Sequence, residues 1–132
     1  MEALILKGSV DTPSITLDVE NNIFEFSGRS LPENASEFYN PILNWIEEYA
    51  QKPLAKTVFE FKLTYFNTAS SKLLLDIFTK LEEMTEAGKD VLIKWYYPED
   101  DEDMDEAGDE YADMIEVPFE KISYVLQKFR VQ

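Results

Sequence analysis

The chain has neither cysteine nor histidine, and it has only four glycines. The missing cysteine excludes disulfides and thiol nucleophiles, and the missing histidine removes the commonest general base near neutral pH. No glycine-rich phosphate loop or Gly-x-Ser-x-Gly nucleophile elbow occurs in the sequence. Because these groups supply most enzymatic acid, base and nucleophile chemistry, the composition predicts a protein that is not an enzyme and needs no cofactor.

Long apolar runs are also missing. No stretch approaches the roughly 20 apolar residues of a membrane span, and the N-terminal residues 1–7 lack the basic start and apolar core of a signal peptide. We therefore expect a cytoplasmic protein without membrane insertion. The chain has 132 residues, and 45% of them are hydrophobic, so residues 1–132 are predicted to form one domain with a packed core.

Basic residues are scarce, with 12 Lys and Arg against 27 Asp and Glu and a net charge of -15. This balance argues against nucleic-acid binding, which depends on cations that neutralise phosphates. Nine of the acids lie within residues 99–110, which hold no base. An EF-hand reading fails there, because Glu106 stands where glycine is needed and Ala112 where the bidentate glutamate is needed. We expect an acidic loop at about 99–110, a short helix over 106–114, and no metal site.

Three segments alternate apolar and polar residues with the period of a half-buried strand, at 15–19, 59–65 and 91–95. A sheet covered on both faces would give continuous apolar runs, so this pattern predicts helices on one face only. Asn21-Asn22 is typical of a hairpin turn, and Gly28 is expected to end the following strand. The predicted fold is α/β in the α+β sense, with a single mixed sheet of about five to six strands.

Two main helices supply the predicted cover. The first carries an apolar stripe from Phe38 to Tyr49, and Pro41 should kink it or restart it with Asn40 as its cap. The second carries a stripe from Leu74 to Met84 and ends at Gly88. A strand, a helix and a strand in this order predict a parallel crossover over 57–97.

The segment Asn67-Thr68-Ala69-Ser70-Ser71-Lys72 joins the middle strand to the second helix. Unpaired backbone N–H groups and the helix dipole favour an anion at such a start, either on a bound ligand or attached to Thr68. Ser70 and Ser71 are competing phosphate acceptors, while Asn67 or Thr68 could be no more than the helix cap. Arg29 and Lys72 are candidate contacts of the same phosphate, with a solvated arginine as the alternative.

Several segments together resemble the SiaC family of bacterial regulatory phosphoproteins. They are Gly28-Arg29-Ser30-Leu31-Pro32-Glu33-Asn34, Phe38-Tyr39-Asn40-Pro41 with Trp45 and Tyr49, Tyr65 to Lys72, and the acidic run before Val117-Pro118-Phe119. The resemblance covers nearly the whole chain. It implies a two-layer architecture like that of STAS domains. It also adds Pro32, Glu33 and Asn34 to the candidate phosphate or partner-binding residues, which already include Asn67, Ala69, Ser70, Ser71, Lys72 and Arg29.

The family resemblance also implies a function. It implies an adaptor protein that a dedicated Ser/Thr kinase phosphorylates on one threonine, here Thr68, and that a PP2C-type phosphatase dephosphorylates. The unphosphorylated form would bind and activate a diguanylate cyclase, with control of biofilm or aggregation through cyclic di-GMP. The alternative is a small domain that senses a phosphate or nucleotide ligand at the same helix start.

Overall fold

The structure is a computed structural model that describes residues 1–126. Its elements follow one another as β1 (Leu4–Leu6), β2 (Ser14–Asp18), β3 (Ile23–Ser30), α1 (Ala35–Tyr49), β4 (Lys56–Phe66), α2 (Thr68–Glu86), β5 (Asp90–Pro98), α3 (Glu102–Met114) and β6 (Phe119–Tyr124). None of the helices within residues 1–126 has the length and hydropathy of a membrane-spanning segment.

The six strands form a single mixed sheet in the order β1-β2-β3-β4-β5-β6. The pairs β1–β2 and β2–β3 are antiparallel, whereas β3–β4, β4–β5 and β5–β6 are parallel. The predicted hairpin is confirmed, because Asn22 has a φ of 55° in the turn between β2 and β3. The predicted parallel crossover is confirmed by the pairing of β4 with β5 around α2.

The helices cover one face of the sheet, as the strand pattern predicts, although the predicted alternation over 59–65 fails at Tyr65, which is 46% exposed. Phe59, Phe61 and Leu63 of β4 alternate with half-buried Val58, Glu60 and Lys62 on the opposite face. The buried side chains of the sheet pack against α1 and α2 in one apolar core, which also takes in Met104 and Tyr111 of α3. The mixed sheet of six strands with helices on one face thus agrees with the predicted α+β class.

Helix α1 corrects one expectation. It begins at Ala35 with Asn34 as its N-cap and runs without a break to Tyr49, so Asn40 is not a cap and Pro41 does not restart the helix. Pro41 lacks only the N–H that would reach the carbonyl of Glu37. Both residues are exposed, so water can satisfy that carbonyl while the buried face of the helix continues.

The predicted acidic loop at about 99–110 is wrong over most of its length. Helix α3 begins at Glu102, four residues before the predicted start, and Asp101 caps it by accepting a hydrogen bond from the Met104 N–H at 3.0 Å. Acidic residues in a first helical turn are favourable because they face the positive end of the helix dipole. The high charge of this segment therefore supports the helix instead of preventing it.

Strand β3 continues past Gly28 to Ser30, contrary to the prediction that Gly28 ends it. Gly28 has a φ of +95°, and the pairing with β4 shifts by one residue between Gly28 and Arg29. This irregularity is a β-bulge whose extra residue is Thr64 of β4, and glycine adopts the positive φ beside it without strain. It places Arg29 in the strand, opposite Tyr65 of β4, and not in a loop.

Candidate functional site

Three helices begin at one edge of the sheet, because α1, α2 and α3 each follow one of the parallel strands β3, β4 and β5. Their caps are the side chains of Asn34, Asn67 and Asp101. In α2 the Asn67 side-chain oxygen accepts a hydrogen bond from the Ser70 N–H at 2.8 Å. The carboxyl edge of parallel strands is where ligands and partners commonly bind.

Thr68 is the first residue of α2, and both Thr68 and Ala69 are exposed. Among the hydrogen bonds formed within residues 1–126, none involves the Thr68 hydroxyl. The hydroxyl therefore projects at the start of a helix with no internal partner to displace. A phosphate on it would lie beside the positive end of the helix dipole.

Ser70 is fully buried, unlike Thr68. Its hydroxyl donates to the Ser30 carbonyl at 3.0 Å and accepts a hydrogen bond from the Ser30 hydroxyl at 2.9 Å. The Ser30 hydroxyl is in turn 2.6 Å from the Tyr39 hydroxyl of α1. Burial raises the pKa of Tyr39 to about 12, although the neighbouring hydroxyls of Ser30 and Ser70 act in the opposite direction. Tyr39 is therefore neutral at physiological pH and able to donate.

Ser71 is half-buried and its hydroxyl donates to the Thr68 carbonyl at 2.7 Å. The Ser71 carbonyl accepts a hydrogen bond from the Tyr111 hydroxyl of α3 at 2.9 Å. Burial, supported by the nearby Glu110 carboxylate, raises the pKa of Tyr111 well above its usual range. Ser71 thus ties the first turn of α2 to α3.

An apolar cleft of about 190 Å³ lies between α2 and α3 next to this turn. Its walls are Phe66, Ser71, Lys72, Leu75, Ala107, Glu110, Tyr111 and Met114. Lys72 is exposed and lies one helical turn after Thr68, so the two side chains share a face of α2. The cleft gives the surface around Thr68 an apolar component next to one positive charge, Lys72, and one negative charge, Glu110.

Arg29 is placed differently from its predicted role. Its guanidinium lies over the ring of Tyr65, 5.3 Å from the ring centre, in a cation–π contact. Arg29 and Ser30 are successive strand residues, and Ser30 is the one that faces the helices. The guanidinium is therefore directed to the other side of the sheet, and no hydrogen bond joins it to Thr68 in the described part of the chain.

The residues Pro32, Glu33 and Asn34 line a separate open groove of about 720 Å³ at the start of α1, together with Thr12, Glu37 and Phe38. Pro32 is buried, whereas Glu33 and Asn34 are exposed. Their segment is fixed at its base, where the Leu31 N–H donates to the Asp11 carbonyl at 2.7 Å. Thr68 and its neighbours in α2 do not line this groove.

Comparison with known proteins places the chain in a family. The model of the SiaC family of regulatory phosphoproteins matches residues 6–124. The chain belongs to the SiaC family. The predicted resemblance is therefore confirmed.

An uncharacterized protein of Pseudomonas aeruginosa strain UCBPP-PA14 is 31% identical to this family member over 122 residues, which cover 90% of this chain and 94% of the relative. Solved structures agree. SiaC of Pseudomonas aeruginosa matches with a TM-score of 0.86 at 27% identity over 94% of this chain and 100% of that one. A crystal structure of the diguanylate cyclase SiaD in complex with its activator SiaC, also from Pseudomonas aeruginosa, matches with a TM-score of 0.87 at 28% identity over 92% and 99%.

The sequence patterns do not identify two buried residues of this site. The first is Tyr39, which lies on the buried stripe of α1 with Ala35, Ile42, Ile46 and Tyr49, whereas the predicted stripe began at Phe38. The second is Ser30, which keeps the two-residue alternation of Phe24 and Phe26 but lies beyond Gly28, the predicted end of the strand. A buried stripe read from Ala35 at helical spacing would have found Tyr39.

The described residues offer little for a free phosphate or a metal. Within 1–126 no group of three or more acidic side chains is arranged to hold a metal ion. The Asn67 side chain already occupies the Ser70 N–H, and the adjacent cleft is largely apolar with Lys72 as its cation. The geometry therefore favours a protein surface over a phosphate-ligand pocket.

Proposed function

We propose that this chain is a non-enzymatic signalling adaptor controlled by reversible phosphorylation of Thr68. In its unphosphorylated form it binds and activates a diguanylate cyclase, and a phosphate on Thr68 prevents that binding. A Ser/Thr kinase and a PP2C-type phosphatase set the level of the phosphate. We place the switch in the cytoplasm, where the GTP that a diguanylate cyclase consumes is available.

The observation that carries this proposal is the contrast among the three hydroxyls at the start of α2. Only the Thr68 hydroxyl is exposed and without an internal partner, whereas Ser70 is fully buried and Ser71 bonds to the Thr68 carbonyl. Membership in a family of regulatory phosphoproteins supports a phosphate on this chain. The complex of the related SiaC with SiaD supports a cyclase as the effector.

The chemistry of the turn explains how one phosphate can act as a switch. A kinase transfers the γ-phosphoryl group of ATP to Thr68, which forms the Oγ1–P bond, releases ADP and passes the hydroxyl proton to the kinase. The group adds a charge of about -1.5 to -2 beside the apolar cleft. Docking a partner over the cleft would then require that charge to be desolvated, which costs several kcal/mol when it is unpaired.

Phosphate mapping in the native cell tests the acceptor. Trypsin should release residues 63–72 as one peptide, because Lys62 precedes it and Lys72 ends it. We expect one phosphate on this peptide, located on Thr68 by fragment-ion mass spectrometry. The Thr68→Ala protein should carry none, and full phosphate incorporation in that variant would overturn the assignment.

Cyclase activation tests the effector. The unphosphorylated protein should raise cyclic di-GMP synthesis by a purified diguanylate cyclase from the same cell. Thr68→Ala should activate the cyclase as well as the parent, because loss of one exposed methyl and hydroxyl removes little contact area. If the parent neither binds nor activates any diguanylate cyclase of its cell, the proposed effector is wrong.

A further inference from the structure

Ser30 forms hydrogen bonds with Asn67, which precedes Thr68, and with Ser70, which follows it. Its carbonyl accepts a hydrogen bond from the Asn67 N–H at 3.1 Å and another from the Ser70 hydroxyl at 3.0 Å. Thr68 and Ala69 lie between these two attachment points. One residue at the end of β3 therefore fixes the two residues that flank the exposed part of the turn.

The buried hydroxyls form an ordered series. The Ser30 hydroxyl donates to Ser70, so the Tyr39 hydroxyl must donate to Ser30, since each hydroxyl has one proton. The series runs from Tyr39 through Ser30 and Ser70 and ends on the Ser30 carbonyl. All three residues have no exposed surface. We refer to Tyr39, Ser30 and Ser70 as the hydroxyl relay.

We propose that the hydroxyl relay is the positioning and specificity-determining device of the switch: it directs phosphorylation to Thr68 and away from Ser70 and Ser71. This inference rests on the proposed function of Thr68 as phosphoacceptor. The Ser70 hydroxyl can reach a kinase only if the first turn opens, and opening breaks its bonds to both Ser30 groups. The relay makes that opening costly, because buried polar groups that lose partners are not compensated.

The chain contains a matched control for the relay. Near the other end of α1, the Tyr49 hydroxyl lies 2.6 Å from the Thr57 hydroxyl, again between a helical tyrosine and a residue of the sheet. Both residues are buried. The chemistry and the bond length equal those of the Tyr39–Ser30 contact, but this bond touches neither α2 nor Thr68.

The test compares Ser30→Ala with Thr57→Val in the full-length protein. Each substitution removes one buried hydroxyl that bonds to a tyrosine of α1. In Ser30→Ala the amide hydrogen exchange of Ser70 and Ser71 should accelerate about ten-fold, the change expected for a local opening equilibrium that loses roughly one net hydrogen bond. In Thr57→Val the exchange of the same two amides should equal that of the parent.

Phosphate mapping on residues 63–72 from native cells provides the second measurement. In Ser30→Ala the ratio of phosphate on Ser70 and Ser71 to phosphate on Thr68 should rise about ten-fold, in line with the opening equilibrium. Thr57→Val should keep the parental ratio even if its melting temperature falls by the same amount. Tyr39→Phe should give a smaller rise in this ratio, because it keeps the Ser30–Ser70 bond. It replaces Ser30→Ala as the test variant if Ser30→Ala does not fold.

The outcomes separate the two claims. Phosphate on Thr68 in the parent, with an unchanged distribution in both Ser30→Ala and Tyr39→Phe, would overturn the relay and leave the proposed function intact. An equal redistribution in Thr57→Val would also overturn the relay, since general loss of stability would then explain the effect. A parent without phosphate on residues 63–72 would overturn the proposed function, and the relay would have no acceptor to position.

Discussion

The two ends of the helical layer contain the same kind of buried hydrogen bond in different surroundings. Tyr39 and Tyr49 of α1 each lie 2.6 Å from a buried hydroxyl of the sheet region, Ser30 at one end and Thr57 at the other. At the Tyr49 end the bonds stop inside the protein, because the Tyr49 hydroxyl also accepts from the Leu54 N–H at 3.0 Å. At the Tyr39 end they continue to Ser70, two residues from the exposed Thr68.

Charge distinguishes the same two ends. The first turn of α2 carries no acidic side chain, so its dipole is free to favour an added anion. The last turn of α2 contains Glu86 and no basic residue. The N-terminal turn of α2, which carries Thr68, can therefore still be stabilised by an added negative charge. The C-terminal turn already carries negative charge, which the helix dipole disfavours there. A buried bond gives stability at one end and, at the other, also belongs to the series that fixes the turn carrying the exposed Thr68.

The largest effect is expected from negative charge at the Thr68 end. Thr68→Asp should lose roughly 100-fold or more in affinity for the cyclase, about 3 kcal/mol, because its carboxylate must be desolvated on docking. Its far-UV circular dichroism and melting temperature should stay near those of the parent. Calorimetric titration measures the affinity.

Thr79→Asp is the control for that prediction. Thr79 is exposed on α2, about 16 Å further along the helix axis at 1.5 Å per residue. The Thr79→Asp protein should bind the cyclase with the same affinity as the parent. Equal losses in the two variants would show that total charge, and not its location at Thr68, controls binding.

Alanine substitutions at Gly108 and Gly88 should destabilise the protein by different amounts. Gly108 of α3 packs against buried Trp95, and an added Cβ would lie 2.7 Å from its Cδ1 and 2.9 Å from its Nε1. Gly108→Ala should lower the free energy of unfolding by about 2 to 3 kcal/mol. Gly88 follows α2 at the other end, with a φ of +86° and open space around it, so Gly88→Ala should cost only about 1 kcal/mol from backbone strain. Urea denaturation gives both values, and the reverse ranking would mean that α3 does not pack on Trp95.

Alkaline pH should reveal the burial of Tyr39. Because its pKa is raised to about 12 in the folded protein, the folded state keeps a proton that the unfolded chain releases near pH 10. The resulting stability is complete below about pH 10 and is lost as the pH rises through about 12. The parent should therefore lose about 2 kcal/mol more than Tyr39→Phe over this interval, as measured by urea denaturation at each pH. Parallel curves for the two proteins would indicate that the Tyr39 hydroxyl reaches water.

The smallest effect concerns the helix dipole at the end opposite Thr68. Glu86→Lys replaces a negative charge by a positive one in the last turn of α2, and it should stabilise the protein by about 0.5 kcal/mol at low salt. The gain should shrink at about 1 M salt, where charges on the surface are screened. An unchanged or lower melting temperature at low salt would contradict this account of the helix end.

Sequence patterns predict the sheet and the position of Thr68 because both depend on local signals. The alternation of apolar and polar residues indicates the buried face of β4, and the Asn67-Thr68 pair indicates the start of a helix. The sequence prediction starts α3 too late because a run of like charges is typical of a loop, although Met104, Gly108 and Tyr111 recur at helical spacing and are buried. The hydroxyl relay could not be predicted, since it joins Ser30 to Ser70 across 40 positions of sequence. Contacts of that range depend on the pairing of strands.

Under the proposed function, a phosphate on Thr68 switches this protein off. The most direct measurement is cyclic di-GMP synthesis by the purified cyclase with equal amounts of two preparations, one phosphorylated on Thr68 and the same sample after treatment with a PP2C-type phosphatase. We expect stimulation only by the treated sample, and we expect Thr68→Ala to stimulate before and after treatment. Equal stimulation by the phosphorylated and dephosphorylated samples would show that the phosphate is not the switch.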